Sequence, residues 1–216
     1  MNSFQEYAEL VRDGNPYERP THPLIVVISG PSGVGKDTVV QEMLRRNHNF
    51  YFVVTATSRP PRRNEVHGVD YYFVTEESFR HMIAAGEMLE HAWVHDNFKG
   101  VPKQQIRDAL ASGRDVLMRV DPQGAATLKA LMPSAVFIFL MAESEEAMAR
   151  RLRDRRSDTA EAVQLRLAIA RQEMQRIPEF DYCVINREGE LTQTIAQIEN
   201  IIEAARHRTD TEPTRI

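Results

Sequence analysis

Cysteine occurs once in the 216 residues, which excludes an intramolecular disulfide framework and fits a reducing, cytoplasmic setting. Its place in Tyr182-Cys183-Val184-Ile185 predicts a buried core thiol. Lysine is scarce as well: it supplies four of the 27 basic residues, so arginine is the default cation. No apolar run approaches the roughly 20 residues of a membrane-spanning helix, and no membrane partner is expected. Excess positive charge is missing too. A formal net charge of -4 argues against bulk electrostatic attraction to nucleic acid or an anionic lipid surface. The 7 histidines receive no role. Residues 1–23 form an extension carrying Glu6, Glu9, Asp13 and Glu18 without an apolar core, unlike a secretory or transit peptide. A short helix is expected over 4–12, ended by Pro16, Pro20 and Pro23, and the polar tail 207–216 reads as flexible.

What is present centres on Gly30-Pro31-Ser32-Gly33-Val34-Gly35-Lys36. An apolar run at 24–28 precedes it and a helical pattern over 36–46 follows, the strand–turn–helix context of a phosphate-binding loop. Glycines let backbone N–H groups converge on phosphate oxygens, the helix N-terminus adds a positive dipole, and Lys36 supplies a mobile ammonium. The pattern asks for Ser or Thr after the lysine as a Mg²⁺ ligand; here Asp37 stands there, followed by Thr38. Thr38 cannot substitute, because one residue along a helix points about 100° away around the axis. The Asp37 carboxylate is a suitable hard-oxygen ligand, held directly or through water, and without metal it would repel nucleotide phosphates. Strict Mg²⁺ dependence is the expectation.

Five apolar runs, at 24–28, 50–55, 115–120, 135–140 and 182–185, read as buried strands. Helical patterns occupy 36–46, 103–112, 123–131, 144–153, 160–177 and 190–206. That alternation predicts an α/β fold, a P-loop NTPase core whose parallel five-stranded sheet is flanked by helices on both faces. The stretch 59–100 breaks the rhythm. It holds an alternating piece at 69–74, a short helix over 75–86 capped by Thr75, and a half-buried piece at 88–95, which together read as a small mixed α+β lobe inserted into the sheet.

The ordered set Ser29-Gly30-Pro31-Ser32-Gly33-Val34-Gly35-Lys36, Thr57-Ser58-Arg59-Pro60-Pro61-Arg62, Gly68-Val69-Asp70-Tyr71-Tyr72-Phe73, Glu87-Met88-Leu89-Glu90 and Asp121-Pro122-Gln123-Gly124 resembles the guanylate kinase family from about residue 24 to 205. The resemblance implies phosphoryl transfer from ATP to GMP or dGMP, with a core at 24–55 and 103–206, a GMP-binding lobe at about 56–102 and an arginine-bearing lid at about 153–165. It places Thr55, Arg59, Arg62 and Tyr71 at the GMP phosphate, where arginine forks and a phenol suit an anion. It places Glu90 and Asp121 at the guanine, whose N1–H and exocyclic amine are donors that carboxylates accept. Adenine would leave such a carboxylate unpaired. For the donor it implies Gly30 to Thr38 of the loop, with Asn186 near the adenine, and Arg151, Arg155 and Arg166 beside Lys36 around the phosphates. The bland readings are a solvated loop for 59–63, a half-exposed strand glutamate for Glu90, a helix N-cap for Asp121 and a turn residue for Asn186.

Three positions depart from the family. Lys99 stands where a tyrosine usually meets the GMP phosphate, and Val101 where a hydroxyl residue usually meets guanine. Arg119 replaces the first of two acids at the end of the 115–121 strand, while Asp37 adds an acid to the loop. The expectation is that Asp37 serves the metal and Arg119 balances its charge; the plain alternative is that Arg119 pairs with some other acid away from the nucleotides. Catalysis would be positioning plus electrostatics, since the attacking phosphate oxygen is already anionic. The run 150–159 suits a lid whose arginines neutralise the transferring group and whose closure excludes water. Two other readings share the loop: a kinase of another phosphorylated acceptor such as a ribose bisphosphate, and a non-catalytic binding module. A monomer or homodimer is expected.

Overall fold

The computed structural model describes residues 22–47, 49–94, 96–153 and 160–208. The expected helix at 4–12, the core of the lid at 154–159 and most of the tail therefore lie outside the described residues. The element order is β1 (Ile25–Ser29), α1 (Lys36–Arg46), β2 (Phe50–Val53), β3 (Ala56–Thr57), β4 (Tyr72–Phe73), α2 (Glu76–Ala84), β5 (Met88–Val94), β6 (Asn97–Pro102), α3 (Lys103–Ala111), β7 (Asp115–Arg119), α4 (Pro122–Leu131), β8 (Val136–Ala142), α5 (Glu145–Arg153), α6 (Ala160–Met174), β9 (Tyr182–Asn186) and α7 (Leu191–Arg206).

Every residue of β1 is buried, and its side chains alternate between two cores. Val26 and Ile28 pack with α1, α5, α6 and α7, whereas Ile25 and Val27 pack with α3 and α4. A strand covered on both faces must be apolar at every position, which is why the run shows no alternation. The five-stranded sheet has the order β2-β7-β1-β8-β9, with all pairings parallel. β1 sits in the middle, so its C-terminal end opens at the crevice where open α/β sheets bind ligands.

One expectation fails at the sheet's edge. β9 has only one neighbour, and its burial alternates, with Cys183 and Ile185 exposed. Cys183 is therefore a surface thiol whose Sγ lies 3.3 Å from Met141 Sδ, not a core residue. The unbroken apolar sequence conceals this because helix cover, not composition, decides whether both faces are dry.

The stretch between β2 and α3 builds a second sheet, of order β4-β3-β6-β5, with β3–β4 parallel and the other pairings antiparallel. Its small core joins Ala56, Phe79 and Met88, and Phe79 stacks on Phe98 at 5.1 Å between ring centroids. Thr75 caps α2 by accepting from Ser78 N at 3.1 Å. The alternating piece at 69–74 contributes only the two residues of β4, because the preceding chain turns to bring Asp70 and Tyr71 toward the first sheet. Among the described residues no helix is long and apolar enough to cross a membrane.

Candidate active site

The loop after β1 takes its shape from glycine. Gly30, Gly33 and Gly35 have φ of 138°, 90° and 92°, all in the region that side chains rarely adopt. A Cβ on Gly30 would strike the Leu140 carbonyl, and one on Gly35 would sit 2.5 Å from Asn186 Nδ2. Lys36 curls over the loop and donates from Nζ to the carbonyls of Gly30 and Pro31. Burial lowers its pKa to about 8, with the neighbouring Asp37 and Glu173 carboxylates opposing the drop.

Facing this loop across one cavity is the surface of the second sheet. The cavity wall includes Gly30, Ser32, Gly33, Gly35, Lys36 and Asp37 from the loop, and Thr55, Arg59, Arg62, Tyr71, Glu90 and Lys99 from the lobe. Arg119, Asp121, Arg166 and Glu173 complete it. Arg59 holds Glu65 in a two-pronged pair at 2.6 and 2.7 Å, and its guanidinium lies 4.9 Å from the Tyr71 ring centroid. Arg59 is thus anchored, whereas residues 60–63 are exposed.

Glu90 is 5% exposed, and its Oε2 is buried without a hydrogen-bond partner. Burial, assisted by the Asp121 charge and opposed by Lys99, pushes its pKa up to about 8. The half-exposed strand glutamate anticipated as the alternative is excluded by that burial. Gly124 makes the room: a Cβ there would come within 2.9 Å of Glu90 Oε2. Asp121 caps α4, accepting from Gly124 N at 3.0 Å through Oδ1. Its Oδ2 lies 3.9 Å from Lys99 Nζ, so capping leaves the second oxygen at the cavity. Val101 is fully buried in the core beside Ile106 and offers only packing.

Four donor-side candidates, Val34, Thr38, Arg151 and Asn186, do not line the cavity, and Val34 is buried. Asn186 is buried and donates from Nδ2 to Val34 O at 2.9 Å. Arg151 donates to Val34 O at 3.2 Å and to Asn186 O at 2.9 Å. Thr38 is exposed one residue past Asp37, as the helical rotation requires. Arg166 reaches Ser32 Oγ at 3.5 Å, and Arg155 lies outside the described residues.

Arg119 is 7% exposed and donates from Nη1 to Asp37 Oδ1. The substituted pair at the loop and strand end therefore meets, as charge balance demands. Among the described residues no cluster of three or more His, Cys, Asp or Glu side chains forms a metal cage. The site nonetheless fits magnesium, which binds through one or two carboxylates together with substrate phosphates and waters. Asp37, half-exposed at the loop's end, is such a carboxylate.

Two contributors escaped the sequence. Glu173 lines the cavity, its pKa raised by burial against the pull of Lys36. Its signal was positional: it lies two helical turns after Arg166, on the same face of α6. Glu65, three residues after Arg62, was hidden as one acid in a basic loop.

A glycine-rich anion cradle at the end of a central parallel strand, facing a second cationic surface on an inserted sheet, defines a P-loop phosphotransferase with two substrate sites. The guanylate kinase family model matches residues 22–205. Guanylate kinase 2, chloroplastic/mitochondrial, of Oryza sativa subsp. japonica is 53% identical over 190 residues, covering 88% of this chain and 67% of that protein. Guanylate kinase of Clostridioides difficile (strain 630) is 38% identical over 185 residues, covering 86% and 89%. The crystal structure of guanylate kinase from Anaplasma phagocytophilum superposes with a TM-score of 0.73 at 33% identity, covering 88% of this chain and 89% of that one. The chain belongs to the guanylate kinase family.

Proposed function

We infer that the protein is an ATP:GMP phosphotransferase, moving the γ-phosphoryl group of ATP onto GMP or dGMP to give ADP and GDP. The observation that carries the acceptor's identity is Glu90, a buried carboxylate with an unpartnered oxygen in the cavity opposite the phosphate loop. Guanine offers that carboxylate two adjacent donors, N1–H and the 2-amine. A base-free sugar phosphate lacks that flat edge of two N–H donors and meets a carboxylate only through its hydroxyls, a poorer match for a single buried glutamate. The intact loop with its Lys36 argues against a purely adhesive module.

The donor's phosphates lie along the amides of residues 30–36, with the Lys36 ammonium as the mobile charge. Arg59, Arg62, Tyr71 and Lys99 hold the acceptor phosphate, and Glu90 and Asp121 orient its purine. Arg166, and Arg155 from the lid, meet charge that develops on the transferred group; Arg151 and Asn186 hold the loop that receives the donor. Asp37 would hold Mg²⁺, directly or through water, and the ion would draw charge from the β- and γ-oxygens. No strong general base is required, because the acceptor oxygen is already anionic. Every side chain in this scheme comes from one chain, so a monomer or a homodimer serves equally. The single cysteine supports a reducing compartment such as the cytoplasm.

The test is ADP release with Mg·ATP and four acceptors in parallel. GMP and dGMP are expected to be turned over well, IMP more weakly for want of the 2-amine, and AMP least. AMP turnover matching GMP would overturn the guanine assignment, and turnover of a ribose bisphosphate above GMP would replace the acceptor.

A further inference from the structure

Arg119 does more than neutralise a neighbour. From the end of β7 its Nη1 donates to Asp37 Oδ1 at the start of α1, while Nη2 donates to the Asp70 carbonyl at 2.9 Å. The same guanidinium lies 4.7 Å from the Tyr71 ring centroid and 5.6 Å from that of Phe52. Asp37 lines the cavity at the donor loop and Tyr71 lines it at the acceptor surface, and Asp70 immediately precedes Tyr71 in the chain. One buried planar cation therefore bonds to both sides of the cavity at once. Tyr71 is gripped by two guanidinium groups, Arg59 fixed by Glu65 and Arg119 fixed by Asp37. A lysine could satisfy Asp37, but its ammonium lacks the rigid planar fork that spans Asp37 Oδ1 and the Asp70 carbonyl while lying against a ring.

We propose that Arg119 is a positioning residue that ties the donor loop to the acceptor-phosphate tyrosine, so that Asp37 sets GMP affinity through Arg119. This rests on the reading of Tyr71 as part of the GMP site. The sign of one substitution separates the tie from simple electrostatics. Removing the negative charge of Asp37 near an anionic ligand should tighten GMP by Coulomb's law. Loosening the grip on Tyr71 should weaken it.

The experiment is calorimetric titration of GMP, without ATP or metal, into the wild type, Asp37→Ala, Arg119→Met and the double variant, with thermal melts alongside. Each single variant is expected to weaken GMP about fivefold or more, the usual lower bound of site-to-site coupling. The double variant should bind no worse than Arg119→Met alone, since the second change cuts a tie already cut. Arg119→Lys runs the same cycle should Arg119→Met not fold. In steady state Arg119→Lys is expected to raise KM for GMP while leaving KM for ATP near that of the wild type, a split that loss of packing would not produce. Unchanged or tighter GMP in Asp37→Ala, or additive losses in the double variant, would overturn the coupling while leaving the acceptor site intact. Failure of the wild type to bind GMP at all would remove the acceptor reading and the coupling with it.

Discussion

Glu90 and Lys36 set opposite pH limits on the two substrates. In the free protein Glu90 titrates at about 8, raised by burial, so it is mostly protonated at neutral pH. Guanine's paired donors require the ionised form, so binding GMP must expel that proton. Calorimetry at pH 7 in buffers of differing ionisation enthalpy should detect the release, and Glu90→Gln should abolish that component. kcat/KM for GMP should rise as pH approaches about 8, and Glu90→Gln should lower it about 10²-fold, the cost of losing hydrogen bonds to a charged group. Lys36 runs the other way. Burial lowers its pKa to about 8, so its charge fades above that pH and kcat/KM for ATP should fall there. Lys36→Met should reduce kcat by about 10³-fold or more, as removal of a preorganised charge does. Wild-type profiles that fail to diverge between the two substrates would contradict both assignments.

Among the helices, α4 shows how a backbone feature controls base reading. Gly124 lies in its first turn, where alanine would ordinarily stabilise by up to about 1 kcal/mol. Here the added Cβ meets Glu90 Oε2 at 2.9 Å in a pocket with almost no exposure. Gly124→Ala is expected to leave thermal stability level or higher while raising KM for GMP about tenfold and sparing KM for ATP. At the other end of the core, Asp115 opens β7 almost fully buried, accepting from Leu24 N at 2.9 Å and from Arg206 of α7 at 2.6 Å. Arg206→Ala strands that carboxylate and should cost about 2–3 kcal/mol in denaturant unfolding, somewhat under the full value for a buried pair because Arg206 is partly exposed.

These elements also mark what a sequence can disclose. β1 and β8 were legible because strands dry on both faces write unbroken apolar runs, β7 showed through its apolar centre at 116–118, and the loop was legible because its glycines sit at fixed offsets. Glu90 and Asp121 were found through resemblance; nothing in the local pattern distinguishes a buried carboxylate from a surface one. β3 left no trace, and β4 showed only as part of the alternating piece at 69–74, since two residues carry no period of their own. Cys183 was misjudged because edge position is a property of the sheet, not of the run. Arg119 was correctly suspected from a swapped acid, but its bond to Asp70 depends on a loop path no motif encodes.

Taken as one body, the protein places its two substrate surfaces on different sheets, a parallel one carrying the donor loop and a mixed one carrying the acceptor wall. Ligand binding should therefore stabilise the halves unequally. Hydrogen exchange is expected to show GMP protecting β3, β6 and the 66–74 segment, and ATP protecting the amides of 30–38. Equal protection everywhere would mean the halves move as a single unit.

The donor loop itself hangs from the far end of the chain. Thr194 of α7 donates to Asn186 Oδ1 at 3.3 Å, and Asn186 in turn grips Val34 O. A polypeptide clipped just before α7 would keep every residue of the glycine motif and Asn186 itself, yet lose the Thr194 hydroxyl that steadies the Asn186 amide. The motif excised as a peptide, or grafted onto another strand without an Asn186 equivalent behind it, should be a limp ribbon incapable of grasping a triphosphate.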